Sequence, residues 1–318
     1  MRVFHTLPIA SDAPLALTIG NFDGVHRGHQ AMLTRLIEGA DDLQLVPAVL
    51  TFEPHPREFF APQSAPARLS TLRGKLEMFR VFGVATTIVL RFDARLASLA
   101  PEAFVHDVLE RGLNARWALV GEDFRFGKGR AGDLLLLRSR SRQFTVEAMR
   151  TVSVDGERAS STAVRAALSD GDLARATALL GRPFAMSGRV AHGDKLGRSL
   201  GFPTANIPLA RKPPMTGIFA VRIHGLDATP RTGVASIGVR PTVTDNARPV
   251  LEVFIFDFDE SIYGRRIRIE FLQKLREEER YPDLPTLTRQ IRADAERARA
   301  YFAETPCPTN PKTTTSPR

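Results

Sequence analysis

The sequence of 318 residues predicts two successive folds: a parallel α/β sheet, then a small barrel or sandwich of short strands closed by a helix. In the first half, short apolar runs such as residues 15–19 alternate with amphipathic stretches of helical period. In the second half, Gly and Pro separate short strand-like runs, and residues 266–271 alternate apolar and charged side chains. We therefore predict one domain at residues 1–182, another at 183–304, and a disordered Pro/Thr-rich tail at 305–318.

The elements of the first half follow from their residue patterns. Apolar and β-branched runs predict the strands 15–19, 46–52, 86–90 and 117–121, and helical spacing predicts helices around 32–37, at 69–82, from Pro101, to Leu168 and to Gly181. Proline suits the first turn of a helix, and the hydroxyls at 160–162 suit an N-cap. This order of strands and helices is typical of a parallel sheet.

The second half contains runs rich in β-branched and aromatic residues. They predict the strands 218–223, 234–237, 251–258 and 266–271, followed by a helix at 284–302. In the last of these strands, Ile267, Ile269 and Phe271 share one face. One face is therefore expected to line a core.

Composition narrows the class of protein. The formal charge of +9 and pI of about 10.3 fit either nucleic-acid binding or the attraction of anionic small molecules. The basic residues are scattered rather than gathered into one tract, which favours a phosphate-rich ligand. The single cysteine, Cys307, excludes a disulfide framework and a thiolate metal site. Since the sequence shows no signal-peptide pattern and no apolar run approaching about 20 residues, we expect a cytoplasmic protein with no membrane partner.

The segment G-N-F-D-G-V-H-R-G-H at residues 20–29 follows a predicted strand and opens a predicted helix. In a parallel sheet this place holds ligands, and both the glycines and the helix N-terminus favour phosphate. His26 and His29 are three residues apart and can share a face, from which they would donate hydrogen bonds to phosphate oxygens. Zinc binding is an alternative, although no carboxylate or cysteine completes a ligand set. A glycine-rich turn with two surface histidines is another.

Three further segments lie at predicted strand or helix edges. They are T-F-E-P-H-P at 51–56, V-G-E-D-F-R-F-G-K-G-R at 120–130 and S-S-T-A-V-R at 160–165. Each has an ordinary explanation: a proline-rich turn, a loop with a core phenylalanine, and an N-cap. The aromatic, basic and glycine residues of 120–130 suit a ring stacked beside a phosphate, and the joint appearance of the three segments favours a binding site over the ordinary explanations.

These four segments together resemble the FMN adenylyltransferase domain of prokaryotic bifunctional riboflavin kinase/FAD synthetases, whereas H-x-G-H alone indicates only a nucleotidyltransferase. The resemblance implies a Rossmann-like nucleotidyltransferase domain in which the phosphate of FMN attacks the α-phosphorus of ATP, pyrophosphate leaves and Mg²⁺ screens the charge. It implies that His26 and His29 contact the reacting phosphates. The other residues expected to contact nucleotide or flavin are Gly20, Phe22, Asp23, Gly24, Gly28, Phe52, Pro54, His55, Asp123, Phe124, Arg125, Ser161, Thr162 and Arg165.

The second half carries its own candidate site. A glycine-punctuated basic loop at 188–198 is either a phosphate cradle or an exposed hairpin. Thr204 and Asn206 alternate along an extended segment and offer hard oxygen ligands for Mg²⁺ bound with ATP. Glu252 shares a period-two face with Phe254 and Phe256, where burial would be costly without a purpose and would suit a general base. The alternatives are an outward-facing Glu252 or one paired with an arginine.

This half resembles riboflavin kinase. The matching strings are G-R-V-x-x-G-x-x-x-G-R, G-F-P-T-A-N, S-I-G-V-R-P-T, L-E-V and F-L-Q-K-L-R, at residues 188–198, 201–206, 236–242, 251–253 and 271–276. The resemblance implies a Greek-key β-barrel with a C-terminal helix. In it Thr204 and Asn206 bind Mg²⁺–ATP, and Glu252 deprotonates the ribityl hydroxyl that attacks the γ-phosphate. The remaining expected contacts are Gly188, Gly193, Lys195 and Gly197 in the loop and Arg276 at the flavin phosphate.

Two positions depart from this family pattern. Phe254 stands where we expect His, and Val243 stands where we expect Phe, which bears on flavin packing.

The two resemblances together imply that the partners are riboflavin, FMN and ATP, with FAD as the product and no nucleic acid. The alternatives are a nucleotidyltransferase with another acceptor, such as a cytidylyl or pantetheine substrate, and a basic nucleic-acid-binding protein. The sequence does not predict an oligomeric state.

Overall fold

The computed structural model describes residues 1–7, 13–193, 200–239 and 249–305. The chain divides into two compact units: unit 1 comprises Met1–Leu168 and Ala174–Arg182, and unit 2 comprises Ser169–Leu173 and the chain from Pro183 onwards. The predictions for Lys195, Gly197, Val243 and residues 306–318 of the tail lie outside the described residues.

A parallel sheet of six strands forms the centre of unit 1, with the order β1-β4-β3-β2-β5-β6. Its strands are β1 (Arg2–Phe4), β2 (Leu15–Ile19), β3 (Val46–Glu53), β4 (Thr86–Arg91), β5 (Ala115–Gly121) and β6 (Thr145–Met149). From β2 the chain builds the sheet first through β3 and later, on the other side, through β5. Such a switch point is where ligands bind in open α/β sheets, beyond the carboxyl ends of the strands.

The helices that accompany this sheet are mostly short. They are α1 (Arg27–Asp42), α2 (Pro56–Phe60), α3 (Leu72–Val81), α4 (Ala94–Ala97), α5 (Pro101–Ala103) continuing as a π-helix (Phe104–Gly112), a 3₁₀ turn (Lys128–Arg130), α6 (Leu134–Arg140), α7 (Ser161–Ser169) and α8 (Leu173–Leu180). A small hairpin of β7 (Ser153–Val154) and β8 (Glu157–Arg158) precedes α7. Along β2, Leu17 enters one core cluster and Ala16 enters the cluster on the opposite face, so both faces of the sheet are covered.

The predicted helix at 69–82 begins later, at Leu72. The hydroxyl of Thr71 caps it by accepting a hydrogen bond from the Gly74 backbone N–H at 3.1 Å. Leu69 lies in the preceding loop, where its own N–H is bound by the carboxylate of Asp23. The helical spacing of Leu72, Leu76 and Phe79 predicts one apolar face, and Phe79 and Leu76 do pack in the core, but the second buried residue of α3 is Lys75.

Unit 2 contains an antiparallel sheet of six strands in the order β10-β13-β12-β11-β14-β9. Its strands are β9 (Ala185–Arg189), β10 (Thr204–Pro208), β11 (Gly217–His224), β12 (Arg231–Val239), β13 (Pro249–Ile255) and β14 (Arg266–Arg276). The chain just after β9 bridges back to β10, where the Ala191 N–H donates to the Asn206 carbonyl at 2.8 Å. This bridge curls the sheet towards a closed barrel, as predicted for the second domain.

Helix α9 (Leu284–Glu304) follows the barrel and confirms the predicted C-terminal helix. The carboxylate of Asp283 caps it by accepting from the Thr286 N–H at 2.7 Å. Its buried face packs against Phe254 and Phe256. Across the described residues, none of the helices combines the length and apolar character needed to span a membrane.

Candidate active sites

The loop between β2 and α1, residues 20–26, has an unusual backbone. Phe22, Gly24 and Val25 have φ of 50°, 82° and 43°. Positive φ is costly for Phe and Val, and such backbone strain is found at functional sites. At Gly24 a side chain is also excluded by space, because a Cβ would lie 2.9 Å from Leu69 Cδ1. The loop therefore requires support from the surrounding structure.

Part of that support comes from the buried carboxylate of Asp23. It accepts hydrogen bonds from the N–H groups of Leu69 and Ser70, at 3.1 and 3.0 Å, and from the guanidinium of Arg165 at 2.5 Å. Arg165 also donates to the Ala67 carbonyl at 2.6 Å. The structure thus brings together Asp23 and Arg165, two predicted ligand contacts, as an ion pair.

The backbone carbonyls of the loop are bound as well. Ser161 donates its hydroxyl hydrogen to the Asp23 carbonyl at 2.9 Å, and the Arg182 guanidinium donates to the carbonyls of Gly24 and Val25 at 2.7 and 3.0 Å. Residues from the end of unit 1 therefore fix a loop near its beginning. Arg182 is not among the residues predicted from the sequence, since nothing local distinguishes it from other arginines.

His26 and His29 lie at the start of α1 with stacked rings, whose centroids are 3.6 Å apart and whose planes differ by 25°. Burial lowers the pKa of His26 to about 4, against a weaker raising effect of the Asp23 charge. Burial also lowers the pKa of His29 well below its usual range, and the positive charge of Lys75 acts in the same direction. Both rings are therefore neutral near pH 7.

The Nδ1 atoms of His26 and His29 are buried and have no hydrogen-bond partner within the described part of the chain. A neutral imidazole donates from one ring nitrogen only. Each ring is therefore suited to one hydrogen bond to an oxygen anion rather than to a charge–charge contact. No group of three or more His, Cys, Asp or Glu within the described ranges is placed to hold a metal ion, which gives no support to the zinc alternative.

The glycines near these histidines are closely packed against neighbouring residues. A Cβ at Gly28 would lie 3.2 Å from both the Ala159 carbonyl and the His26 ring, and one at Gly20 would lie 3.1 Å from the Phe22 ring. Thr162 is exposed in the first turn of α7, after an N-cap bond from the Ala163 N–H to the Ser160 hydroxyl.

The T-F-E-P-H-P segment ends β3 at the same sheet edge. Phe52 is half-buried, and its ring meets that of Phe92 edge-on at 5.9 Å. Pro54 follows a cis peptide bond, and His55 caps α2 by accepting from the Arg57 N–H at 3.1 Å. Burial lowers the pKa of His55, so it too is neutral near pH 7.

Arg68 binds this segment through two carboxylates. Its guanidinium lies 2.5 Å from the carboxylate oxygens of both Glu53 and Glu58, with further bonds of 2.6 and 2.8 Å. Bidentate pairs of this kind are among the strongest side-chain contacts. This network has no signature in the sequence, because its members come from a strand, a helix and a loop.

The segment after β5 lies on the opposite side of β2. Phe124 stacks on Phe126 at 5.4 Å, and the Arg125 guanidinium lies 3.4 Å from the Asp133 carboxylate. Asp123 forms an ion pair with Arg158, both exposed. Since β3 and β5 flank β2, the predicted flavin and nucleotide contacts lie at strand ends on either side of the histidine loop.

In unit 2, Asn206, Glu252 and Ser236 are paired across β10, β13 and β12 and so share one row of the sheet. Asn206 is 8% exposed, and its Oδ1 has no hydrogen-bond partner in the described part of the chain, while its amide N–H donates to the Thr204 carbonyl at 3.2 Å. Gly193 approaches it closely, because a Cβ there would lie 2.5 Å from Asn206 Cγ. The row therefore contains a buried amide oxygen that has no partner among the described residues.

The surroundings of Glu252 differ in part from the expectation. It shares a face with Phe254, as predicted, but it is half-buried, and the buried face of β13 carries Leu251, Val253 and Ile255 instead. Leu251, Val253 and Ile255 form the buried face, whereas Phe254, on the same face as Glu252, packs in a cluster with α9. Burial in an apolar interior is therefore not the source of any special reactivity of Glu252.

A second carboxylate that sequence analysis missed lies close to this row. Glu278 accepts a hydrogen bond from the Ser236 hydroxyl at 3.3 Å. Burial raises the pKa of Glu278, the hydrogen bond opposes this change, and the nearby charge of Glu252 adds to it. No sequence pattern distinguishes Glu278, because it lies in the run of charged residues that follows β14.

Two further residues of unit 2 that were predicted to contact ligands, Arg276 and Gly188, lie against other residues of the protein. Arg276 binds the Asp294 carboxylate of α9 with distances of 2.7 to 3.0 Å and lies over the Tyr281 ring. Gly188 allows β9 to approach β10, because a Cβ would lie 2.1 Å from Ile207 Cγ2. The flavin-phosphate role of Arg276 stays a prediction.

Comparison with known proteins gives two family matches. The family model for FAD synthetase matches residues 9–163, and the model for riboflavin kinase matches residues 180–302. Two similar relatives are both described as bifunctional riboflavin kinase/FMN adenylyltransferase. The protein of Escherichia coli K12 is 47% identical over 96% of this chain and 98% of its own length, and that of Pseudomonas fluorescens is 48% identical over 90% and 92%.

A solved structure with a similar fold covers most of the chain. It is a crystal structure described as a macrolide-efflux protein from Streptococcus pneumoniae, with a TM-score of 0.80 and 26% identity, and the match covers 94% of this chain and 99% of that one. The likeness shows that the order of the two folds is shared with that structure.

Proposed function

We propose, because the chain belongs to the family of bifunctional riboflavin kinase/FMN adenylyltransferases, that it phosphorylates riboflavin to FMN and adenylylates FMN to FAD with ATP as the donor. The observation that carries the proposal is the presence of two different sites in one chain. A stacked, neutral histidine pair lies at the switch point of a parallel sheet, and an Asn206–Glu252 row lies in a barrel. The product of the second site is the acceptor for the first.

We assign adenylyl transfer to residues 1–182 and the kinase reaction to residues 183–304. The family matches and the division into two units both support this assignment. In adenylyl transfer, a phosphate oxygen of FMN forms a bond to the α-phosphorus of ATP, and the bond from that phosphorus to pyrophosphate breaks. No protein nucleophile is required, so positioning and charge stabilisation carry the catalysis.

His26 and His29 donate to oxygens of the reacting phosphates in this proposal. The support is their neutral state, their buried nitrogen atoms and their place at the start of α1. The residues that we assign to the nucleotide are Gly20, Phe22, Asp23, Gly24, Gly28, Asp123, Ser161, Thr162 and Arg165. Those that we assign to the flavin are Phe52, Pro54, His55, Phe124 and Arg125.

In the kinase reaction, Glu252 accepts the proton of the ribityl 5′-hydroxyl as its oxygen attacks the γ-phosphorus of ATP and ADP leaves. Thr204 and Asn206 would hold the Mg²⁺ that accompanies ATP, and the buried Oδ1 of Asn206, which has no partner among the described residues, fits that ligand class. An ion held there would screen the negative charge of the triphosphate. Gly188 and Gly193 allow close packing against Ile207 and Asn206, and their contact with phosphate stays a proposal from the resemblance.

We further propose that the partners are these small molecules alone and that the enzyme works in the cytoplasm. The scattered basic residues and the single cysteine support these two statements. Oligonucleotide binding with a steep salt dependence would contradict the first.

The test follows riboflavin, FMN and FAD by chromatography after purified protein is mixed with riboflavin, ATP and Mg²⁺. FMN is expected first and FAD second. Glu252→Gln is expected to stop FMN formation while FAD is still made from supplied FMN, and His29→Ala is expected to do the reverse. The matched controls are Glu296→Gln and His5→Ala, both exposed.

Each failure has a specific meaning. FMN without FAD would contradict the adenylyltransferase assignment, or would indicate another acceptor. FAD formed only from supplied FMN would contradict the kinase assignment. The absence of both products would favour the nucleic-acid-binding alternative.

A further inference from the structure

Lys75 occupies a position in α3 where a helix normally buries an apolar side chain. It lies one turn before Phe79, and both residues are buried, Lys75 with 4% of its surface exposed. Phe79 packs edge-on against Phe22 at 5.3 Å, and Phe22 contacts His29 at 4.9 Å. This face of α3 therefore lies directly against the histidine loop.

The ammonium group of Lys75 is poorly compensated. It donates one hydrogen bond, to the backbone carbonyl of Asn21 at 3.2 Å, and forms no ion pair with any carboxylate of the described residues. An ammonium has three N–H donors, and burying its charge outside an ion pair has a cost in stability. Burial lowers the pKa of Lys75, and the more distant carboxylates of Glu53, Asp23 and Glu58 oppose this change only in part. A cost of this kind is typical of a functional site rather than of packing.

The other positive charges that act on the two imidazoles are bound to protein groups. Arg165 binds the Asp23 carboxylate and Arg158 binds the Asp123 carboxylate. Arg182 is bound to backbone carbonyls of the loop and of Leu180. The imidazoles themselves are neutral near pH 7.

Adenylyl transfer requires positive charge at the reacting phosphates, because negative charge is redistributed as pyrophosphate leaves. We propose that Lys75 supplies positive charge to the phosphate groups in the adenylyl-transfer site, through the ammonium that its helix buries beside the Asn21 carbonyl and the histidine pair. This inference rests on the proposed function. It makes Lys75 a catalytic residue in addition to His26 and His29.

The test compares Lys75→Met with Arg73→Met in the full-length protein. Methionine keeps the length and apolar stem of the side chain but removes the charge. Arg73 lies on the same helix with its guanidinium 3.6 Å from Glu77, and it is exposed, so it controls for the loss of a positive charge from α3. The reaction measured is FAD formation from supplied FMN and ATP.

We expect Lys75→Met to lower kcat for FAD formation by about 10²–10³-fold, the usual cost of one transition-state contact. We expect a much smaller change in KM for FMN, and an unchanged rate of FMN formation from riboflavin in the same preparation. Arg73→Met should match the wild type. Normal FAD formation by Lys75→Met would overturn the inference, whereas a wild-type protein that makes no FAD would instead overturn the proposed function.

Loss of activity through misfolding is distinguished by chemical rescue. Lys75→Ala leaves a space that a small alkylammonium ion fits, and millimolar ethylammonium is expected to restore FAD formation, with no effect on Arg73→Met. A structural requirement for the lysine stem would give no rescue. Failure of ethylammonium to raise the rate of a Lys75→Ala protein whose Trp117 fluorescence is native would overturn the inference.

Discussion

The guanidinium of Arg165 lies 2.5 Å from the carboxylate of Asp23, 142 residues away along the chain. The two side chains are 17% and 5% exposed. This ion pair joins the histidine loop to α7, so two segments predicted separately as ligand contacts form one structural unit. Its consequence is that changes at either residue affect stability and adenylyl transfer together.

Arg165→Ala is expected to destabilise unit 1 by about 3–5 kcal/mol, because it leaves the Asp23 carboxylate buried without its counter-charge. FAD formation should fall while FMN formation is retained. The fluorescence of Trp117, the only tryptophan in the sequence, measures the free energy of unfolding of unit 1 in urea.

The control for this change is Arg111→Ala. Arg111 pairs with Asp107 at 3.8 Å in an exposed position, so its loss should cost less than about 1 kcal/mol. Equal costs for the two variants would contradict the assignment of the Asp23–Arg165 pair as the support of the loop.

We expect unit 1 to lose stability as the pH falls, beginning at pH values above those at which carboxylates ordinarily titrate. His26 has a pKa of about 4 in the folded protein and 6.5 as its ordinary value, so between these pH values the unfolded chain binds more protons. Stability from this group is therefore complete above pH 6.5 and is lost as the pH falls towards 4, by about 2 kcal/mol between pH 7 and pH 5.

Urea unfolding at pH 7 and pH 5, followed by Trp117 fluorescence, measures this loss. His26→Gln should show a smaller difference between the two pH values, and His5→Gln, at an exposed position, should behave as the wild type. A difference unaffected by His26→Gln would show that His26 is not the group that titrates.

Gly193→Ala is expected to impair the kinase reaction alone. The added Cβ would lie 2.5 Å from Asn206 Cγ, so Asn206 must move, and a shift of about 1 Å at a reacting centre costs about 10²-fold in rate. The rate of FMN formation should fall, and FAD formation from supplied FMN should be unchanged. Ser261→Ala is the control in the same unit, since Ser261 is exposed and lies outside the strands.

Parallel loss of both reactions in Gly193→Ala would indicate general misfolding instead. An unchanged rate of FMN formation would show that the position of Asn206 is not critical.

Asp294→Asn is expected to loosen α9 from the barrel. It removes the charge that binds Arg276, whose side chain is also largely buried, so a cost of about 3–5 kcal/mol is expected. Faster amide hydrogen exchange in α9 measures the change. Asp257→Asn breaks the exposed pair with Arg299 and should leave exchange in α9 nearly unchanged; similar exchange in the two variants would contradict the role of Asp294.

Sequence analysis located the loop at 20–29 and most strands correctly, because both depend on neighbouring residues. β2 is Leu15–Ile19 as predicted, and the other predicted strands of unit 1 differ by one or two residues at an end. The edge strands β1 and β6 were missed, since they are short and only partly buried.

The errors share one physical cause. The start of α3 was misplaced because Asp23 binds the N–H of Leu69, 46 residues away, and so holds that residue in a loop. The surroundings of Glu252 were misjudged because the face of β13 that points into the barrel depends on how the sheet curls. Neither the Asp23–Leu69 hydrogen bond nor the curl of the sheet leaves a pattern in the sequence of the segment that it affects.

The sequence by itself determined the two fold classes, the histidine loop and the Thr204–Asn206 segment, because periodicity and motif spacing act over a few residues. Only the tertiary structure decided the ionic partners of Asp23 and Arg68, the neutral state of the histidines and the burial of Lys75. These properties depend on desolvation and on charges brought together from distant segments, and the free energy of a charged group is set by that environment rather than by its neighbours in the chain.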